Sequence, residues 1–251
     1  MNRRPLAALA AVVALFAAGC SSKAKDDPLL RLSADESLTE GKRLLEAEKF
    51  GRARPYFQHA FEVEPNSKTG REALLLVAET LFLEGGNTNL IQAEAKYRDY
   101  QNRFPTSDRA AYVQFQIAES LAQRVERPDR DQATTRKAVE AYQDLLRLFP
   151  TSEHSEKAQT ALRRVRDQLA EHEYQVADFY LRFRLPAATA SRLENVLEVY
   201  PEYAGRDKVL YRLAVAYREL ERADDAQAAF SRLRTEFPES PWIAEIPAEN
   251  R

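Results

Sequence analysis

The chain has 251 residues, with 37 Lys and Arg against 39 Asp and Glu, a formal net charge of −2 at pH 7, and 44% hydrophobic residues. So mild and mixed a charge excludes the basic stripe of a nucleic-acid binder and suits a dispersed, solvated surface. With 7 Gly and 1 Cys, no internal disulfide is possible. Ala, Leu, Glu and Arg dominate, so a nearly all-α fold held by packing is expected.

The chain opens on Met1-Asn2-Arg3-Arg4, then an apolar run from Leu6 to Ala18, then Gly19-Cys20-Ser21-Ser22. The run suits the core of a signal peptide and falls short of the ~20 residues a spanning helix needs. Small residues before a cysteine let a narrow peptidase cleft take the backbone, and the thiol becomes an attachment point for lipid. This resembles a bacterial lipoprotein signal. The resemblance implies a signal peptide over residues 1–19, acylation (palmitate among the chains) at Cys20, and a lipid anchor in the membrane. It also implies the outer membrane, because Ser21 rather than Asp follows the cysteine. The alternative is an ordinary secretory cleavage that leaves Cys20 as a stray thiol. Losing Arg3 and Arg4 with the signal takes the net charge to −4. Residues 20–33 are polar, contain Pro28 and show no period, and so read as a flexible tether.

Beyond the tether the chain repeats. A proline follows an amphipathic run at Glu64-Pro65, Phe104-Pro105, Phe149-Pro150, Tyr200-Pro201 and Phe237-Pro238, with spacings of 40, 45, 51 and 37. Proline there stops a helix. Each unit also carries two small residues, one on each of two consecutive helices: Gly41 and Ala53, Ala78 and Ala93, Ala118 and Ala138, Ala177 and Thr189, Ala214 and Ala226. Two antiparallel helices approach closely only where both present a small side chain. Aromatics such as Phe57, Tyr97, Tyr142 and Phe230 then fill the space beside them. This is the tetratricopeptide (TPR) pattern of stacked helix pairs.

The small residues are 12 apart in units one, four and five, 15 apart in unit two across Gly85-Gly86, and 20 apart in unit three across Arg127-Pro128-Asp129-Arg130-Asp131. Unit four is preceded by fourteen residues beyond the usual inter-unit excess. That is close to four turns at ~3.6 residues each, so Ser155 to about Arg184 is expected as one long helix that keeps its packing face. The expected fold is an all-α, TPR-like α-solenoid of about five helix pairs. Units one and two occupy 34–105, unit three 106–150, units four and five with the extended helix 151–245, and a tail 246–251.

His59, His154 and His172 are scattered, and none shares metal-ligand spacing with Cys, His or a carboxylate pair. No Gly-rich phosphate loop, nucleophile elbow or HExxH occurs. Neither catalysis nor a cofactor nor a metal is expected. Arg163, Arg164 and Arg166 read as a solvated helix face, with docking of an acidic partner as the lesser reading. The first helix of each pair should line a concave groove that accepts an extended or helical peptide. Counting along the motif gives Leu38, Lys42, Leu45, Leu75, Glu79, Phe82, Tyr112 and Phe115 as groove-facing positions. Each could equally pack between neighbouring units.

A lipoprotein signal followed by five irregular TPR units resembles the BamD family, the TPR lipoproteins of the machine that folds β-barrels into the bacterial outer membrane. The more specific likeness lies in Arg130-Asp131, in Phe149-Pro150-Thr151-Ser152, in Ala170 to Tyr180 (AEHEYQVADFY), and in Ser191 to Leu197 (SRLENVL) before Tyr200-Pro201. The resemblance implies that the N-terminal units contact unfolded outer-membrane proteins. It implies that the C-terminal units dock the periplasmic POTRA region of a BamA-type barrel protein, with Arg192 at the family arginine implicated in that coupling. Other assembly lipoproteins are further partners it suggests. Two alternatives share the anchor or the repeat. A pilotin-type TPR lipoprotein for secretin assembly would usually keep a regular 34-residue period. A periplasmic cell-envelope TPR protein of the CpoB kind would usually carry an N-terminal coiled coil.

Overall fold

The structure is a computed structural model and describes residues 27–248. Ten α-helices follow one another: α1 Ala34–Glu46, α2 Phe50–Val63, α3 Lys68–Glu84, α4 Asn87–Arg103, α5 Ala110–Ala122, α6 Ala133–Leu148, α7 Ser155–Arg182, α8 Pro186–Val199, α9 Arg206–Glu219 and α10 Ala223–Glu236. No strand occurs among the described residues. Each helix packs chiefly on the next in sequence, which is the signature of a TPR-like α-solenoid.

Local chemistry explains where the helices start and stop. Ser33 and Glu36 form a reciprocal capping box at the start of α1. The second helix of every pair ends one residue before the proline dipeptide. The cap residues Glu64, Phe104, Phe149, Tyr200 and Phe237 all adopt φ between −123° and −138° and ψ between 58° and 67°. The ring of the following proline disfavours the helical region for the residue before it, so the chain must leave the helix there. The turns within units one, four and five each place one residue in the left-handed region: Glu48, Arg184 and Glu221, with φ of 55°, 57° and 58°. Unit two uses Gly85 and Gly86 at the same place.

The small-residue pairs lie at the helix contacts. Ala53, Ala78, Ala93, Ala118, Ala138, Ala177, Thr189, Ala214 and Ala226 are all fully buried. Gly41 is buried against Phe57, whose ring would lie 2.5 Å from a Cβ added at that position. Phe57, Tyr97, Tyr142 and Phe230 are fully buried beside them.

Two hydrophobic cores result. The first runs from Leu38 to Val165 and the second from Ala170 to Ile246. Among the described helices only α7, 28 residues long, contributes to both. Its extra turns do not keep one packing face. Ala158, Leu162, Val165 and Leu169 form the stripe of its first half, and Ala170, Tyr174, Ala177 and Leu181 that of its second. The second set repeats the first at an offset of twelve residues, which turns an α-helix about 120° beyond whole turns. The face rotates because the first half packs on the preceding pair, whereas the second packs on its own partner α8 and on α9.

Both ends of the described chain differ from a plain tether and tail. Pro28–Arg31 form a one-turn 3₁₀ helix capped by Asp27, and His59 Nε2 lies 3.1 Å from the Leu32 carbonyl oxygen. After α10 a second 3₁₀ turn, Pro241–Ile243, folds the chain back. Trp242 stacks on Tyr211 with ring centroids 5.1 Å apart. Ile246, placed in the tail by the sequence, is 1% exposed in the second core. The open end of a stack of helix pairs bares apolar surface, and this segment covers it.

Candidate functional site

The first helices of the first three units are joined side to side by polar and aromatic contacts. Lys42 on α1 pairs with Glu72 on α3 at 2.6 Å. The Tyr112 hydroxyl on α5 donates to Glu79 on α3 at 2.8 Å and accepts from Gln116 Nε2 at 2.9 Å. Phe115 stacks on His154, just before α7, with centroids 5.1 Å apart and planes within 12°.

This band contains all eight groove candidates, and they divide. Leu38 and Leu75 are 8% and 5% exposed and belong to the first core. They sit where one first helix meets the next, so their energy goes into holding units together. Leu45, Phe82, Tyr112 and Phe115 pack against the same core and keep an accessible side. Lys42 is partly exposed, and Glu79 is mostly buried.

A cleft of about 620 Å³ opens between the start of α3 and the 104–109 turn. Leu75 and Glu79 reach its wall, but most of its charge comes from Lys68, Arg71, Asp108 and Arg109. Motif counting missed these four because they belong to turns and first helical turns. Arg71 lies 5.8 Å over the Phe104 ring and Arg109 5.1 Å over Tyr112, so both guanidinium groups are held by stacking. Burial pushes the Glu79 carboxyl above the usual carboxylate range, only partly offset by the Tyr112 hydrogen bond and by Arg109. Burial and the adjacent Glu79 push the Tyr112 hydroxyl up to about 12. The cleft therefore combines the cations Lys68, Arg71 and Arg109 with the acids Glu72, Glu79 and Asp108, beside Leu75, Leu76 and Tyr100. Both signs of charge beside apolar side chains suit the polar backbone and apolar side chains of an extended peptide.

The second core carries a different surface. Arg192 on α8 is not free. It donates to Glu173 on α7 and lies 5.5 Å over the Tyr180 ring, with its side chain 33% exposed. Close by in sequence, Phe179, Phe183 and Leu185 are 48%, 64% and 51% exposed, and the two Phe rings lie 4.4 Å apart. Behind this edge Glu171 acts as a hub, accepting from Lys208 at 2.6 Å, from Gln175 at 3.0 Å and from Tyr203. Burial alone would raise its carboxyl, but these hydrogen bonds outweigh it and hold the group below the usual range.

Cys20 lies outside the described residues. No described helix is long and apolar enough to cross a membrane, and no group of three or more His, Cys, Asp or Glu among the described residues could hold a metal ion.

The family model YfiO, described as "Outer membrane lipoprotein", matches residues 32–233. The chain belongs to this family. Two relatives are each named outer membrane protein assembly factor BamD. That from Rickettsia prowazekii (strain Madrid E) is 27% identical, the alignment covering 93% of this chain and 91% of the relative. That from Caulobacter vibrioides is 26% identical, covering 96% and 79%. A solved structure of the TPR2AB-domain:pHSP90 complex of yeast Sti1 aligns at TM-score 0.43 and 16% identity, over 82% of this chain and 78% of that one. The likeness to the BamD family seen in the irregular repeat and the C-terminal motifs is borne out.

Proposed function

We propose that the chain is a non-catalytic scaffold for assembling β-barrel proteins into the outer membrane, held at its periplasmic face by lipid on Cys20. The cleft between units two and three takes extended segments of unfolded outer-membrane proteins. The surface around Phe179, Phe183, Leu185 and Arg192 docks the POTRA region of a BamA-type barrel protein. In this reading residues 34–150 form the substrate arm and 151–245 the docking arm.

One observation carries the reading: the two surfaces stand on separate cores joined by one helix. Two ligands can then be held together without competing for a site. Binding would draw on buried aromatic and aliphatic anchors, with charges fixing orientation. Membership in an outer-membrane lipoprotein family and relatives named as assembly factors support the same reading.

The test is mass spectrometry of what co-purifies with the detergent-solubilised native lipoprotein. A POTRA-containing barrel protein is the expected partner. Recovery of a secretin with no barrel protein would overturn the proposal in favour of a pilotin-type role.

A further inference from the structure

The middle of α7 poses a physical problem. The first core ends at Val165 and the second begins at Ala170. A helix joining two otherwise separate bodies can bend there unless side contacts hold it. Two segments reach that stretch from opposite bodies.

From the C-terminal body, the end of α8 and its following turn reach back. Arg166 donates to the Val199 carbonyl at 2.7 Å and to Glu202 at 2.6 Å, and lies 5.4 Å over the Tyr200 ring. From the N-terminal body, the long turn between α5 and α6 reaches forward. Gln168 Nε2 donates to the Glu126 carbonyl at 2.7 Å, and His172 Nδ1 to the Pro128 carbonyl at 2.6 Å. This turn has a fixed shape. Gln132, 2% exposed, donates to the carbonyls of Arg127 and Arg130 at 3.0 and 2.9 Å and accepts from Thr135 at 2.9 Å. Val125 packs into the first core.

Position along the helix decides what these bonds do. His172 lies beyond Ala170, where the second core has already begun, yet it is bonded to a turn rooted in the first. We infer that residues 123–132 are a brace across the α7 hinge, and that Gln168 and His172 are positioning residues setting the angle between the three-unit and two-unit bodies. The angle is a property of this chain alone. Its meaning for assembly, a fixed separation of substrate cleft and docking surface, rests on the scaffold reading above.

The test is pulsed electron–electron distance measurement on the full chain. Spin labels go on cysteines replacing Glu62 and Ala228, one in each body. A second pair replacing Glu62 and Lys137 lies wholly within the first body. A chain without added cysteines serves as the blank for Cys20. The parent should give one narrow distribution for each pair. In the Gln168→Ala, His172→Ala double variant, the 62–228 distribution should widen about two-fold while the 62–137 distribution stays as in the parent. An unchanged 62–228 distribution overturns the brace. So does equal widening of both pairs, which would make the turn a local stabiliser of unit three. Absence of a barrel protein from the co-purification would sink the scaffold reading and leave the distance result standing.

Discussion

Gly70 offers a sharp test of how consecutive units are joined. It is the third residue of α3, and its N–H bonds to the Ser67 cap at 2.9 Å. A Cβ built there overlaps the Glu64 carbonyl oxygen and lies 2.8 Å from its carbon and 3.1 Å from Pro65 Cα. These are backbone atoms in a turn, so no rotamer change relieves the contact. The Glu64 carbonyl also accepts from Ser67 N at 3.2 Å and Ser67 Oγ at 3.0 Å. Moving it strains bonds that stabilise by about 1 kcal/mol each. Overpacking adds about 1–3 kcal/mol, and the helix preference of Ala over Gly returns about 1 kcal/mol. Gly70→Ala should therefore lose about 2 kcal/mol, or about 4–8 °C in Tm for a chain of this size. Gly51 is the control. It is also helical, and its added Cβ meets only Glu84 Oε1, at 3.8 Å, so Gly51→Ala should be no less stable than the parent. Thermal and urea denaturation followed by circular dichroism would read both. A Gly70→Ala variant as stable as Gly51→Ala would refute the close approach of α3 to the end of α2.

Three further outcomes are expected. Ala214 is fully buried on α9, and Ala214→Leu should destabilise the last unit by about 1–3 kcal/mol; hydrogen exchange rising in α9 and α10 but not in α1–α4 would localise the loss, and uniform exchange would contradict a modular solenoid. Because burial raises the Glu79 carboxyl, its contribution to stability is complete below the unfolded value of about 4.3 and is lost as pH rises through the raised folded value. Glu79→Gln should thus gain on the parent in urea midpoint as pH rises from 4 to 7, and a constant difference would show that the carboxyl is not destabilised. In the proposed docking role Arg192 leaves Glu173 to meet an acidic group, so Arg192→Leu should weaken recovery of the barrel protein while Glu173→Gln, which frees the arginine, should preserve or strengthen it. Equal loss in both would make the pair a structural link between α7 and α8.

Much of the fold was legible because it rests on local rules. Proline after Glu64, Phe104, Phe149, Tyr200 and Phe237 ends a helix wherever it occurs, and the small-residue pairs follow from the contact distance of two helices. The candidate surfaces were less legible. Leu38 and Leu75 share a helical stripe with candidates that keep an accessible side, and only the placement of the next unit decides that they are buried. Lys68, Arg71 and Arg109 reach the cleft because the inter-unit turns fold them there, and a count along helices passes over turns. Arg192 could be singled out from the surrounding motif, but its bond to Glu173, 19 residues away, needed the pairing of α7 with α8. The aromatic edge at Phe179 and Phe183 was not legible, because aromatics four apart look the same in sequence whether buried or exposed.

The two largest irregularities of the repeat belong together. Lengthening α7 by fourteen residues shifts α8 about 21 Å along it, at 1.5 Å per residue, and parts the two cores. The stripe of the first half would then run out into water beyond Leu169. The extra residues in the turn between α5 and α6 lie over that continuation, where Gln168 and His172 hold them. A long α7 with a short turn would bare its middle, and a long turn on a short α7 would have nothing to lie against. If the turn is the brace inferred above, shortening it to the length found in unit two should expose the centre of α7 to hydrogen exchange while leaving the helix pairs on either side protected.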